Sequence, residues 1–300
     1  MDSIYATNID PAADSTAESH EVIAPARQTV PLVFASPHSG SDYPAEFLAA
    51  SRLDPLALRR SEDSFVDELF SAAPRLGAPL IRALFPRAYV DPNREPFELD
   101  QSMFADRLPA YANTRSPRVA VGLGTIARVV ANGADIYRGK LLAAEALQRI
   151  RRHYWPYHRS LQNLVEQTRT AFGSCLLIDC HSMPSVGGPM DRDPGRNRMD
   201  FVLGDCHGTA CASAVIDAVE GLLRDLGYYV ARNAPYSGGF VTRHYGKPKT
   251  GTHCLQIEIN RGLYMDESRI ARGPGLPRLA QNMQAMITML SNLSWAETPA

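Results

Sequence analysis

Cysteine is scarce in this 300-residue chain, and its five copies form no CxxC pair. An odd, small number of scattered thiols argues against a disulfide framework and fits reduced cysteines in a cytoplasmic protein. A basic surplus is missing as well: 31 Lys+Arg stand against 32 Asp+Glu, a net charge of −1. A dedicated nucleic-acid binder normally carries such a surplus, so that class is excluded. No apolar run approaches the roughly 18 residues a transmembrane helix needs, so no membrane partner is expected. Residues 1–30 show neither a basic n-region nor an apolar h-region, and no secretory signal is expected. Gly238-Gly239 lacks a GxGxxG context, and no Walker-type lysine motif occurs. What is present is ordinary: 45% hydrophobic and 21% charged residues, in a chain long enough to bury a large core. The bulk properties describe an enzyme-sized soluble protein and leave its oligomeric state open.

Residues 1–28 are polar, rich in Ala, Ser, Thr and Asp, and without periodicity; they read as a flexible arm. Residues 29–295 read as one catalytic-sized domain, with no internal repeat or low-complexity linker to divide it. Short β-prone runs cover Val30–Ser36, Ala78–Phe85, Arg87–Asp91, Ser174–Cys180, Asp200–Gly204, Tyr228–Arg232 and Leu255–Ile259. Helical spacing covers Pro55–Pro74, Asp135–Gly173 with a break at Pro156, His207–Gly227, and a closing segment through Leu279, Met283, Met286, Ile287 and Leu290. Alternation of this kind predicts an α/β fold: a single domain with a mixed, mostly parallel central sheet and helices on both faces.

The chemically capable residues interrupt the apolar runs. His38, Asp91, His181 and Glu258 each lie in or just after a strand-like segment. Ligands in open α/β sheets bind outside the strand C-termini, so four such groups from four segments look like a constellation. His38, in Pro37-His38-Ser39-Gly40, has the alternative of a turn histidine bonded to local backbone. Strand alternation puts Asp179 and His181 on one side, where Asp179 orients the imidazole of a metal ligand or forms a buried pair with it. In Ser61–Asp67, Asp63 and Asp67 stand one turn apart, with Arg59 one turn before Asp63. That is either a solvated face with an i,i+4 ion pair or the source of a carboxylate ligand beside two histidines. Glu258 points away from Ile257 and Ile259, along with Gln256 and Asn260. A buried glutamate there is a general base or half of a Glu–Arg pair. Arg87, Arg94, Arg243 and Arg261 offer forked donors for a carboxylate. His207, His244 and His253 are further site-lining candidates, whereas His153 and His158 read as helix-surface or packing residues. Cys180 and His181 are adjacent on a strand and point apart, which counts against a nucleophilic pair.

Five segments in series, SPHSG (Ser36–Gly40), SEDSFVDEL, YVDPNR (Tyr89–Arg94), IDCHS (Ile178–Ser182) and GTHCLQIEINRGLYMDE (Gly251–Glu267), resemble the N-formylglutamate amidohydrolase family. The resemblance spans roughly Val33–Glu267. It implies a zinc-dependent hydrolase with a fold related to zinc carboxypeptidases and aspartoacylase-like deacylases. By position it implies His38 and His181 as metal ligands, Asn93-Arg94 as a carboxylate-binding pair and Glu258 as general base. The carboxypeptidase HxxE pattern would need a glutamate at position 41, where this chain has Ser41. The acidic ligand must then come from elsewhere, with Asp63 first and Glu62 and Asp67 in reserve. The expected reaction is hydrolysis of N-formyl-L-glutamate, a small dianion, around one Zn²⁺ ion, though other divalent metals suit such a site. Arg261 is expected at the developing oxyanion; Arg94, Arg87 and Arg243 are expected at the substrate carboxylates. Deacylation of another N-acyl amino acid, or binding of an acidic metabolite without catalysis, are the alternatives.

Overall fold

The computed structural model of the chain describes residues 18–189, 191 and 193–293. The strands are β1 (His20–Ile23), β2 (Leu32–Ser36), β3 (Leu80–Ala83), β4 (Cys175–Met183), β5 (Phe201–Gly204), β6 (Val230–Arg232) and β7 (Thr252–Asn260). They join one seven-stranded sheet in the order β1-β3-β2-β4-β7-β5-β6. The central strands β3, β2, β4 and β7 are mutually parallel, while β1 on β3 and β5 on β7 run antiparallel. The architecture is a mixed, mostly parallel α/β sheet in a single domain.

Both faces of the central strands are covered, which is why their sequences are almost continuously apolar. Side-chain alternation divides them between two cores. Leu32 and Phe34 of β2, Leu176 and Ile178 of β4, and Leu255, Ile257 and Ile259 of β7 enter one core with the helices Ser213–Asp225 and Leu276–Ser291. Val33, Ala35, Cys175, Leu177 and Cys254 enter the other, against the helices Ala143–Arg149 and Trp155–Phe172. Each fully buried Leu or Ile contributes about 1.5–3 kcal/mol relative to exposure. On β4 and β7 the second alternation carries polar residues towards the C-terminal ends, namely Asp179, His181, Gln256 and Glu258. The site is therefore built on the second face.

Several expected elements differ. The run Pro55–Pro74 is two short helices, Pro55–Arg59 and Val66–Leu69, separated by a turn over residues 60–65. Phe65 in the left-handed region (φ 67°) closes that turn, and Asp63 belongs to the turn rather than to a helix face. Arg87–Asp91 is a turn, not a strand: the Tyr89 N–H donates to the Pro86 carbonyl at 2.9 Å. The long helical path starts at Ala143 rather than Asp135. Ahead of Pro156, which has no N–H to donate, it widens into a π-helical stretch over Ile150–Tyr154. β1 falls inside the segment expected as a flexible arm, so ordered structure extends back beyond residue 29. Residues 1–17 of that arm lie outside the described residues, as do residues 294–300.

Candidate active site

Three loops and two strands bring the site together. His38 follows β2 in a turn that approaches the next loop closely. A Cβ on Gly40 would lie 2.3 Å from the Phe85 carbonyl oxygen, so only glycine fits there. Asp63 is held on its turn by its own N–H, which donates to the His38 carbonyl at 3.0 Å. Glu62 anchors the same turn, accepting from Tyr43 Oη (2.7 Å), Ser64 Oγ (2.7 Å) and Arg59. His181 sits near the C-terminal end of β4 and pairs in register with Glu258 on β7.

His38 Nδ1 and His181 Nδ1 both face Asp63 Oδ2, at 3.2 and 3.0 Å. The other nitrogen of each ring meets a second carboxylate: His38 Nε2 lies 2.7 Å from Asp91 Oδ1, and His181 Nε2 lies 2.8 Å from Asp179 Oδ1. His38, Asp63 and His181 are each 2% exposed or less, and one ligand atom from each lies within 4.8 Å of the others. Two imidazoles clamped from behind by carboxylates, both turned towards a third carboxylate, fit a divalent metal ion. Burial alone would raise the Asp63 carboxyl, but bonds from His181 and His38 hold it well below the usual carboxylate range. Burial likewise opposes ionisation of Asp91, and the charges of Arg94, His38 and Arg87 outweigh it. His181 is pushed well above the usual imidazole value by Asp179 and Asp63, against the effect of burial.

Glu62 and Asp67 do not reach this cluster. Asp67 pairs with Arg82 at 2.5 Å, and Arg59 bonds to Glu62 rather than to Asp63.

A cavity of about 380 Å³ opens beside the cluster, with His38, His181, Glu258, Arg87, Arg94 and Arg261 in its wall. Burial pushes the Glu258 carboxyl up to about 7; the charge of His181 works the other way. Gln256 Nε2 donates to Glu258 Oε1 at 3.0 Å and fixes one oxygen.

The arginines divide in ways the sequence did not show. Arg261 donates from Nε to Ser182 Oγ (3.1 Å), from Nη1 to the Arg60 carbonyl (3.1 Å) and from Nη2 to Asp63 Oδ1 (3.0 Å). A guanidinium so committed orients Asp63 and offers little to an oxyanion. Arg87 braces Asp91 at 2.9 Å. Asn93 Nδ2 lies 3.1 Å from His181 Nε2, and its Oδ1 accepts from the Val241 N–H at 2.8 Å. A Cβ on Gly239 would come within 2.3 Å of that amide. Arg94 lines the cavity, but Arg243, expected there, is exposed on the helix Phe240–Tyr245, bonds the Gly238 carbonyl at 3.3 Å and does not line it. It touches the cavity only through that bond to Gly238, whose backbone is part of the wall. His207, His244 and His253 also lie outside the cavity wall, and His158 is a packing residue between Pro92 and Tyr245. Sequence reasoning left Asp91 without a role and missed Arg118 and Tyr236, which also line the cavity. Asp91 carried a signal, two residues before Asn93-Arg94, but Arg118 and Tyr236 carried none.

The comparisons with known proteins agree with one another. The family model described as N-formylglutamate amidohydrolase matches residues 30–265. An N-formylglutamate deformylase of Pseudomonas aeruginosa is 31% identical over 252 residues, covering 82% of this chain and 86% of that protein. One of Pseudomonas putida is 26% identical over 247 residues, covering 80% and 83%. The crystal structure of N-formylglutamate amidohydrolase from Ralstonia eutropha JMP134 superposes with a TM-score of 0.81 at 36% identity, covering 90% of this chain and 95% of that one. A protein of Agrobacterium tumefaciens shares the fold at 20% identity, with a TM-score of 0.59. The protein is thus an enzyme of the hydrolase class that acts on amide bonds. Within that class, the chain belongs to the N-formylglutamate amidohydrolase family.

Proposed function

We propose that the protein hydrolyses the formyl C–N bond of N-formyl-L-glutamate, releasing formate and L-glutamate, with a zinc ion held by His38, Asp63 and His181. The observation that carries the reading is the convergence of both Nδ1 atoms on Asp63 beside Glu258 in one cavity. The deformylase relatives supply the substrate. When bound, the metal supplies Lewis acidity that polarises the formyl carbonyl and makes a water more acidic. Glu258 accepts a proton from the attacking water and returns it to the amine as the C–N bond breaks. Water oxygen ends in formate and the proton ends on glutamate nitrogen, so the balance closes without a further reactant. Asp91 and Asp179 hold the imidazole tautomers, Arg261 holds Asp63, and Arg94 meets a substrate carboxylate.

The test is formate release from N-formyl-L-glutamate by purified protein, with metal analysis of the same sample. Glu258→Gln should lower kcat by about 10²–10⁴-fold with metal content retained. Absence of formate release by the metal-loaded wild type, or near-normal turnover by Glu258→Gln, would overturn the reading. N-acetyl and N-formyl derivatives of aspartate and neutral amino acids, run alongside, separate this substrate from other N-acyl amino acids.

A further inference from the structure

Arg87, Arg94 and Arg261, which line the cavity, are each paired with a buried carboxylate. Arg261 is spent on Ser182, the Arg60 carbonyl and Asp63, and Arg87 on Asp91. Arg94 donates through Nε to the Leu123 carbonyl (2.9 Å) and through Nη1 to the Asn93 carbonyl (2.8 Å). Its Nη2 has only a 3.6 Å approach to Asp91 Oδ2. Arg118 differs from all of these. It lines the same cavity from an exposed position, and among the described residues no carboxylate lies within ion-pair distance of it. Asp191, another lining carboxylate, is taken by Arg198 at 2.6 Å.

The backbone under Arg118 is well anchored. It lies on the short helix Pro117–Ala120, where Ser116 Oγ accepts the Val119 N–H at 3.1 Å and Val119 is buried. The Arg118 carbonyl accepts the Leu123 N–H at 2.8 Å, and the Leu123 carbonyl in turn holds Arg94. One loop therefore sets both guanidinium groups. Burial brings Arg94 down to about 10, and although Asp91 raises it, the like charge of Arg118 adds to the lowering. Two neighbouring positive charges, one with a nitrogen left over and one unpaired among the described residues, favour an anion in the cavity.

We propose that Arg118 is a specificity-determining residue that binds the second carboxylate of a dicarboxylate substrate. This rests on the N-formylglutamate reading for the identity of that substrate, but the charge argument holds for any dicarboxylate of similar length. It also replaces Arg243 as the missing cation of the pocket.

Two measurements test it. In the first, kcat and KM are compared for N-formyl-L-glutamate and N-formyl-L-glutamine in wild type, Arg118→Gln and Arg118→Lys, with circular dichroism to verify folding. Arg118→Gln should raise KM for N-formylglutamate about 10- to 100-fold, the loss of one charged hydrogen-bonded pair. KM for N-formylglutamine should move far less, so the preference for glutamate over glutamine collapses; Arg118→Lys should restore part of it. The second uses calorimetric binding of glutarate and its half-amide, glutaramate, and needs no turnover. Arg118→Gln should weaken glutarate to the level of glutaramate. If wild type failed to release formate but lost its glutarate preference on Arg118→Gln, the substrate reading would fall and the role of Arg118 would stand. A folded Arg118→Gln protein that keeps the wild-type discrimination in both measurements would overturn it.

Discussion

A histidine ring has two nitrogens, and at both His38 and His181 they have different neighbours. Nδ1 faces Asp63, while Nε2 is fastened to a buried aspartate, so each tautomer is set from behind. Asp179 is fully buried, and its second oxygen accepts from Thr242 Oγ1 at 3.2 Å. Asp179→Asn keeps the shape and removes the charge that draws the Nε2 proton. Metal affinity should fall about 10- to 100-fold, read by competition with a chelating dye, with little change in thermal unfolding of the metal-free protein. An unchanged affinity would mean the clamp does not tune the ligand. Much of this arrangement is legible in the sequence. His181 and Glu258 stand out because each puts a polar group into a run that is otherwise apolar, and Asp179 shares the side of His181 by strand parity. The arginines are not legible in the same way. Arg243 and Arg261 look alike in sequence, yet one is exposed and the other is locked onto Asp63. Nothing local marks Arg118, because what distinguishes it is that no carboxylate pairs with it among the described residues.

Among the elements, apolar run length is a good guide to the central strands and a poor one to the turns between them. The segment from Pro55 to Pro74 has helical spacing throughout, but bonds from Glu62 to Tyr43, Arg59 and Ser64 favour a turn at its centre. Those partners include a residue distant in sequence, so periodicity is blind to them. β1 is illegible for a related reason: its burial pattern shows no alternation of buried and exposed positions, and it is a strand because β3 offers an edge. Its attachment is specific, with Glu21 paired to Arg82 at 2.7 Å and His20 Nε2 lying 2.7 Å from Ser160 Oγ. A chain lacking residues 1–24 should still fold. It should melt about 4–10 °C lower and self-associate more readily, since β3 would then present an unpaired edge. Differential scanning calorimetry with light scattering checks this, and an unchanged melting temperature would assign β1 no part in stability.

For the whole molecule, pH enters through a histidine that packs behind the cavity wall. Burial brings His158 down to about 3, with its Nε2–H donating to the Pro92 carbonyl at 2.8 Å. In the unfolded chain its pKa returns to about 6.5. Between those values the unfolded state binds the extra proton, so stability must fall as pH drops from about 6.5 towards 3. His158→Gln keeps a donor for Pro92 and removes the titration. Urea unfolding at several pH values should show a shallower acid loss in the variant, by on the order of 1.4 kcal/mol per unit of the abolished shift. Identical slopes would show that His158 is not a source of acid sensitivity.

β4 and β7 run side by side for nine residues in unbroken parallel register, with His181 opposite Glu258. The backbone spacing between His181 and Glu258 is thus that of neighbouring strands, about 4.8 Å, and owes nothing to a loop. Arg118, by contrast, rides on the connection around residues 116–124, whose Leu123 carbonyl also holds Arg94. Such a division of labour makes the fold evolvable. Changes in the length or sequence of that connection can move Arg118 while the pairing of β4 with β7 stays constant.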